Sequence, residues 1–72
     1  MNKAYEKMLK NKIDTLTSLV ESAERNVTIS YVGLKDNTCK FEDYAIALDL
    51  HRNLYSEKKR LENMLVSLQG LN

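Results

Sequence analysis

LKNKIDTLTSLVESAERNV, residues Leu9 to Val27, sets Leu9, Ile13, Leu16, Val20, Ala23 and Val27 at alternating intervals of four and three. A repeat of 3.5 residues keeps one narrow apolar stripe on a single side of a helix, which is the coiled-coil pattern. The second half of the chain repeats the device with Ala47, Leu50, Leu54, Leu61, Met64, Leu68 and Leu71, and Glu57 falls where an apolar residue is expected. The reading is a mostly α antiparallel helical hairpin, coiled-coil-like, with a small β-hairpin or extended loop at its bend.

Outward from that stretch, the first helix is expected over about residues 2–26. Asn2 serves as its N-cap, and Glu6–Lys10, Lys10–Asp14 and Glu21–Arg25 stand at i,i+4. Arg25 complements the helix dipole near its C-terminus, and Asn26, which tolerates the left-handed conformation, ends it. Residues 27–32 then change character: Val27, Ile29 and Tyr31 alternate with Thr28 and Ser30, and β-branched residues dominate. With the turn residues Gly33, Lys35, Asp36 and Asn37 behind them, they predict a short hairpin of 27–32 with 38–41. An irregular loop is the alternative reading of the whole 27–40 region. The second helix is expected over about 41–69, with Asn37 or Thr38 at capping distance, Glu42 and Asp43 in its first turn and Gly70 at its end. Lys58–Glu62, Glu57–Arg60 and Asp49–Arg52 supply helical-spacing ion pairs. A short connection folds the two helices back on each other as a single domain spanning 1–72.

Seventy-two residues cannot build much of a core. Two helices of about 25 residues make a rod about 37 Å long, and such small scaffolds are held by disulfides, a metal or oligomerisation. Cys39 is the only cysteine, so no disulfide forms within the chain. His51 is the only histidine, and Ala47, Leu48, Leu54 and Tyr55 occupy the neighbouring helical positions, so no metal spacing exists. By elimination the chain associates with itself, as a dimer or higher oligomer, through a seam of Leu9, Ile13, Leu16, Val20, Leu50, Leu54, Leu61, Met64 and Leu68. Glu57 in that seam reads in two ways. Its stem lies along the stripe with its carboxylate in water, or it is a buried polar residue that fixes register and subunit number.

Eleven Lys and Arg against ten Asp and Glu leave a net charge of +1, which makes nucleic acid an unlikely partner. No run of 18 apolar residues crosses a membrane, and a lone thiol without an export signal fits the cytoplasm of a bacterium or of a phage-infected cell. Eight lysines against three arginines, seven Asn and no Pro fit an AT-rich genome such as a low-GC bacterium or its phage.

No Gly-rich phosphate loop, zinc spacing or nucleophile elbow appears, so neither a catalytic residue nor a cofactor is assigned. Folding back gathers Lys3, Lys7, Lys10, Lys12, Lys58, Lys59 and Arg60 at the open end among Glu6, Asp14, Glu57 and Glu62. Lys3, Lys7, Lys10 and Arg60 are the candidate contacts for a small anion, although such charges more often form an ordinary solvated face. Tyr31, Lys35, Phe41 and Tyr44 around the bend are the candidate contacts for another protein, because Tyr is enriched where proteins grip each other. The expected function is a non-enzymatic adaptor or inhibitor of another protein, encoded by a phage or mobile element. An oligomer that sequesters a nucleotide-like anion and a small nucleic-acid regulator are the alternatives.

Overall fold

The computed structural model describes residues 3–70 as two helices, α1 over Lys3–Lys35 and α2 over Phe41–Gly70. Asn2, the expected cap, and Leu71, the last residue of the expected stripe, lie outside that range. The helices pack side by side as a rod of 54 × 14 × 12 Å. The helical hairpin is as expected; its β element is not. Among the described residues there is no strand.

The hairpin of 27–32 with 38–41 fails because α1 continues through it to Lys35, beyond the expected stop at Asn26. The three-four spacing does not end at Val27. Ser30 and Leu34 extend it, and Val27, Ser30 and Leu34 are all partly buried. Strand preference is worth tenths of a kcal/mol per residue and bends to context, and a two-stranded ribbon is marginal in water. Extending the helix keeps this stretch on the same buried line. The β-branched residues adapt: Thr28 Oγ1 donates to the Glu24 carbonyl at 3.2 Å, as Thr17 does to Ile13 at 2.8 Å. Ile29, expected in a strand, is 68% exposed on the helix.

Asn37, not Asn26, supplies the left-handed residue, with φ 60°. The amide of Thr38 donates to the Gly33 carbonyl at 2.8 Å and that of Asn37 to Leu34 at 3.3 Å, the paired bonds of a Schellman closure. Thr38 Oγ1 also donates to the Gly33 carbonyl, at 3.4 Å, so this side chain finishes α1 instead of capping α2. Lys40 precedes α2, its carbonyl accepting from the amides of Asp43 and Tyr44. Glu42 and Asp43 stand in the first turn as expected.

The α1 stripe lines the interface: Leu9, Val20 and Ala23 are buried, and Ile13, Leu16 and Val27 half-buried. In α2 the inward line is Tyr44, Ala47, His51, Leu54, Lys58, Leu61, Leu65 and Leu68. It shares Ala47, Leu54, Leu61 and Leu68 with the expected stripe and replaces the other row. Leu50 is 49% exposed and Met64 half-buried, so Leu50 stands outside the contact with α1. Lys58, not Glu57, takes the polar place in the line. Glu57 instead pairs with Arg60 one turn on, where Nε donates to its carboxylate at 3.1 Å.

Gly33 marks the tightest point. A Cβ there would lie 2.6 Å from the Cβ of Cys39, nearer than side chains can approach. Gly33→Ala should therefore lose about 1–2 kcal/mol, overpacking outweighing the gain in helix propensity. Gly70→Ala meets nothing within 4 Å and should be neutral or slightly stabilising. Urea unfolding followed by circular dichroism measures both; equal stability of the two variants would refute the close approach.

Candidate functional site

Four residues expected to contact another protein come together where the chain turns. Tyr31 and Lys35 are one turn apart at the end of α1, and Phe41 and Tyr44 open α2. The rings of Tyr31 and Tyr44 are 6.0 Å apart at 47°, and those of Phe41 and Tyr44 6.4 Å apart at 54°. Lys35 Nζ sits 4.7 Å over the centre of the Tyr31 ring. Such tilted ring pairs add about 0.5–1.5 kcal/mol beyond burial, and an exposed cation over a ring about 0.5–1 kcal/mol. The cluster is thus fixed in place without being hidden. Tyr44 is half-buried at its base, whereas Phe41 is 69% exposed at its tip.

A second ring pair continues along the same flank. His51 and Tyr55 stack at 6.3 Å, and Lys59 Nζ lies 5.6 Å from the centre of the Tyr55 ring. His51 Nε2 is shielded from solvent and stops 3.6 Å from the carboxylate of Glu24 on α1, too long for a hydrogen bond. The positions three and four residues from His51 hold no carboxylate, so this partner became visible only once the helices were paired. The arrangement offers an imidazole beside a carboxylate with no nucleophile in contact. It suits packing across the interface.

The candidate anion contacts divide. Lys3, Lys7 and Lys10 share a shallow hollow of about 260 Å³ with Glu6. Glu6 binds Lys10 at 3.3 Å and accepts a hydrogen bond from Gln69 of α2 at 3.4 Å, so a carboxylate already occupies the centre of the basic group. Arg60 lines a different groove, with Tyr5 and Met64. Of the i,i+4 pairs expected from sequence, Glu6–Lys10 forms; Glu62 pairs with Lys59 at 3.7 Å rather than with Lys58, and Arg25 donates to Ser22. Among the described residues no three His, Cys, Asp or Glu side chains are grouped to hold a metal. No helix in that range is long and apolar enough to cross a membrane.

Two carboxylates are electrostatically tuned. The hydrogen bond from Gln69 and the contact with Lys10 hold Glu6 below its ordinary value of 4.5, and Arg60 does the same for Glu57, with Lys12 of α1 adding to it. A lowered carboxyl pKa means stability that is present above the ordinary value and lost as pH falls through the lowered one. Thermal melts should therefore show stability dropping below about pH 4.5, and the Glu6→Gln, Glu57→Gln double variant should flatten that drop. An unchanged acid limb in the variant would refute the assignment. Compared with known protein families, with curated proteins and with solved structures, the chain matches none.

Proposed function

We propose that this chain is a non-enzymatic binding protein, an adaptor or inhibitor, that assembles with copies of itself and grips another protein through the bend cluster. The observation that carries the grip is the fixed, half-open arrangement of Tyr31, Lys35, Phe41 and Tyr44. Binding hot spots favour rigid aromatics set beside a cation, because such groups lose little freedom on contact and desolvate a large area. Among the described residues eleven large hydrophobic side chains remain exposed, and that surplus favours a surface made to meet others.

A small anionic ligand is the less favoured reading, since Glu6 stands within the lysine group and the guanidinium of Arg60 is engaged elsewhere. The grip is tested by placing a photo-crosslinking phenylalanine analogue at position 41 and, as a control, at position 66 of the opposite helix end. A discrete protein partner should be captured from the producing cell at position 41 and not at 66. Competition with unlabelled chain should suppress that capture, and Tyr31→Ser chain should compete at least tenfold less well. Equal capture at both positions, or equal competition by the variant, would reject the bend as the contact. Stabilisation by a panel of nucleotides, rising with their concentration, would favour the anion reading instead.

A further inference from the structure

The two flanks of the hairpin differ sharply in charge. At heptad spacing, the rows beginning at Tyr5 and Met8 on α1 and at Asp43 and Ile46 on α2 lie on one side of the seam. Two grooves run along it. Met8, Thr15 and Lys12 share one of about 580 Å³ with Glu57, and Tyr5 shares another of about 430 Å³ with Arg60 and Met64. Of the seventeen residues in those rows only Lys12, Asp43, Glu57 and Arg60 are charged. The opposite flank, with rows beginning at Lys3, Lys7, Phe41 and Ala45, carries ten charged residues among nineteen. It also carries the bend cluster.

We infer that the charge-poor flank is covered by a second copy of this chain, the two hairpins lying antiparallel, bend against open end, as a four-helix bundle. This rests on the self-association proposed above and adds where and how the copies meet. Three observations carry it. Met8, Leu19, Ile29, Ile46 and Leu50 are exposed on this flank, with Met64 half-exposed beside them, and no part of the hairpin reaches over to cover them. The flank runs the length of a rod 54 Å long and 14 Å across, a footprint on the scale of the roughly 800 Å² of accessible surface that a stable interface takes from each partner.

The third observation is symmetry. Leu19 is near mid-length, with Met8 eleven residues before it and Ile29 ten residues after it. The contacts of Glu24 with His51 and Tyr31 with Tyr44 set residue 19 of α1 level with about residue 56 of α2. Ile46 and Met64 lie ten residues before and eight after that level. A two-fold axis across the rod at mid-length therefore brings Met8 to Ile29, Ile46 between Met64 and Ser67, and Leu19 to its own counterpart. An isologous contact requires this self-complementarity. The parallel alternative also brings Ile29 to Ile46, but it sets Met8 against Ser67 and Met64 against Asn11, leaving those apolar side chains opposite polar ones.

The test uses the full chain. Light scattering coupled to size-exclusion chromatography, from about 10 to 200 µM, should give twice the chain mass for the wild type and for Val66→Glu on the opposite flank. Leu19→Glu should halve that mass with helical content retained, since Leu19 is exposed in the single hairpin. In a Cys39→Ser background, Leu19→Cys should oxidise to a covalent dimer and Glu21→Cys should not. A wild type of single mass at 200 µM overturns the self-association together with this inference. Unchanged mass in Leu19→Glu overturns the face alone, and a dimer whose Leu19→Cys form does not cross-link overturns the antiparallel alignment.

Discussion

Everything in this fold follows from one limit: a pair of parallel rods can dry only the strip along which they touch. Leu9, Val20, Ala23 and Leu61 are the apolar side chains removed almost wholly from water. At roughly 1.5–3 kcal/mol for a fully buried Leu or Val, so few residues stabilise a hairpin of this length only modestly. The remaining apolar groups are ordered by the helices but covered only in part or not at all. The helices must therefore be continuous and closely joined, which is why the turn is short, why Gly33 has no side chain where Cys39 crosses it, and why Asn37 takes the left-handed conformation.

The α1 stripe was legible in the sequence because its apolar residues satisfy one seam and no other. The α2 stripe was not, and the reason is specific. Ala47, Leu54, Leu61 and Leu68 belong equally to a seam completed by Leu50, Glu57 and Met64 and to one completed by Tyr44, His51, Lys58 and Leu65. Counting apolar side chains favours the first, since Leu50, Met64 and Leu71 outnumber Tyr44 and Leu65. Packing against α1 selects the second, because long polar side chains lay their stems along an interface while their ends reach water or a partner. The polar Glu57 that looked like a defect in the stripe belongs to a row at the rim of the contact, where it shares a groove with Lys12 of α1.

The bend was misread for a related reason. Alternation of Val27, Ile29 and Tyr31 with Thr28 and Ser30 is a period-two signal only five residues long, and it overlaps a period-3.5 signal that had already run from Leu9. The longer period prevails when a partner helix is present to reward each turn, and α2 is that partner. The meeting of the aromatic and basic residues of this stretch was nonetheless legible, since it depends only on the chain reversing direction near residue 38. A ribbon and a helical turn bring Tyr31 and Tyr44 to the same place. Where a residue goes in the molecule was here more robust than the local structure that takes it there.

The placement of the two surfaces gives the proposed assembly its sense. The charge-poor flank and the bend cluster lie on opposite sides of the seam, so copies that meet through the first leave the second uncovered. In an antiparallel pair the two clusters stand at opposite ends, separated by nearly the 54 Å length of the rod. A partner that is itself dimeric, or repeated along a surface, could then be held at two points by one rigid body. The second contact would form at an effective concentration set by the rod and not by a flexible linker. A single hairpin offers one small patch, and interfaces well below 1,000 Å² are weak or transient unless reinforced. Doubling the grip on a stiff spacer is a physical route by which seventy-two residues could bind a large partner tightly, and that route needs no reactive chemistry in the chain.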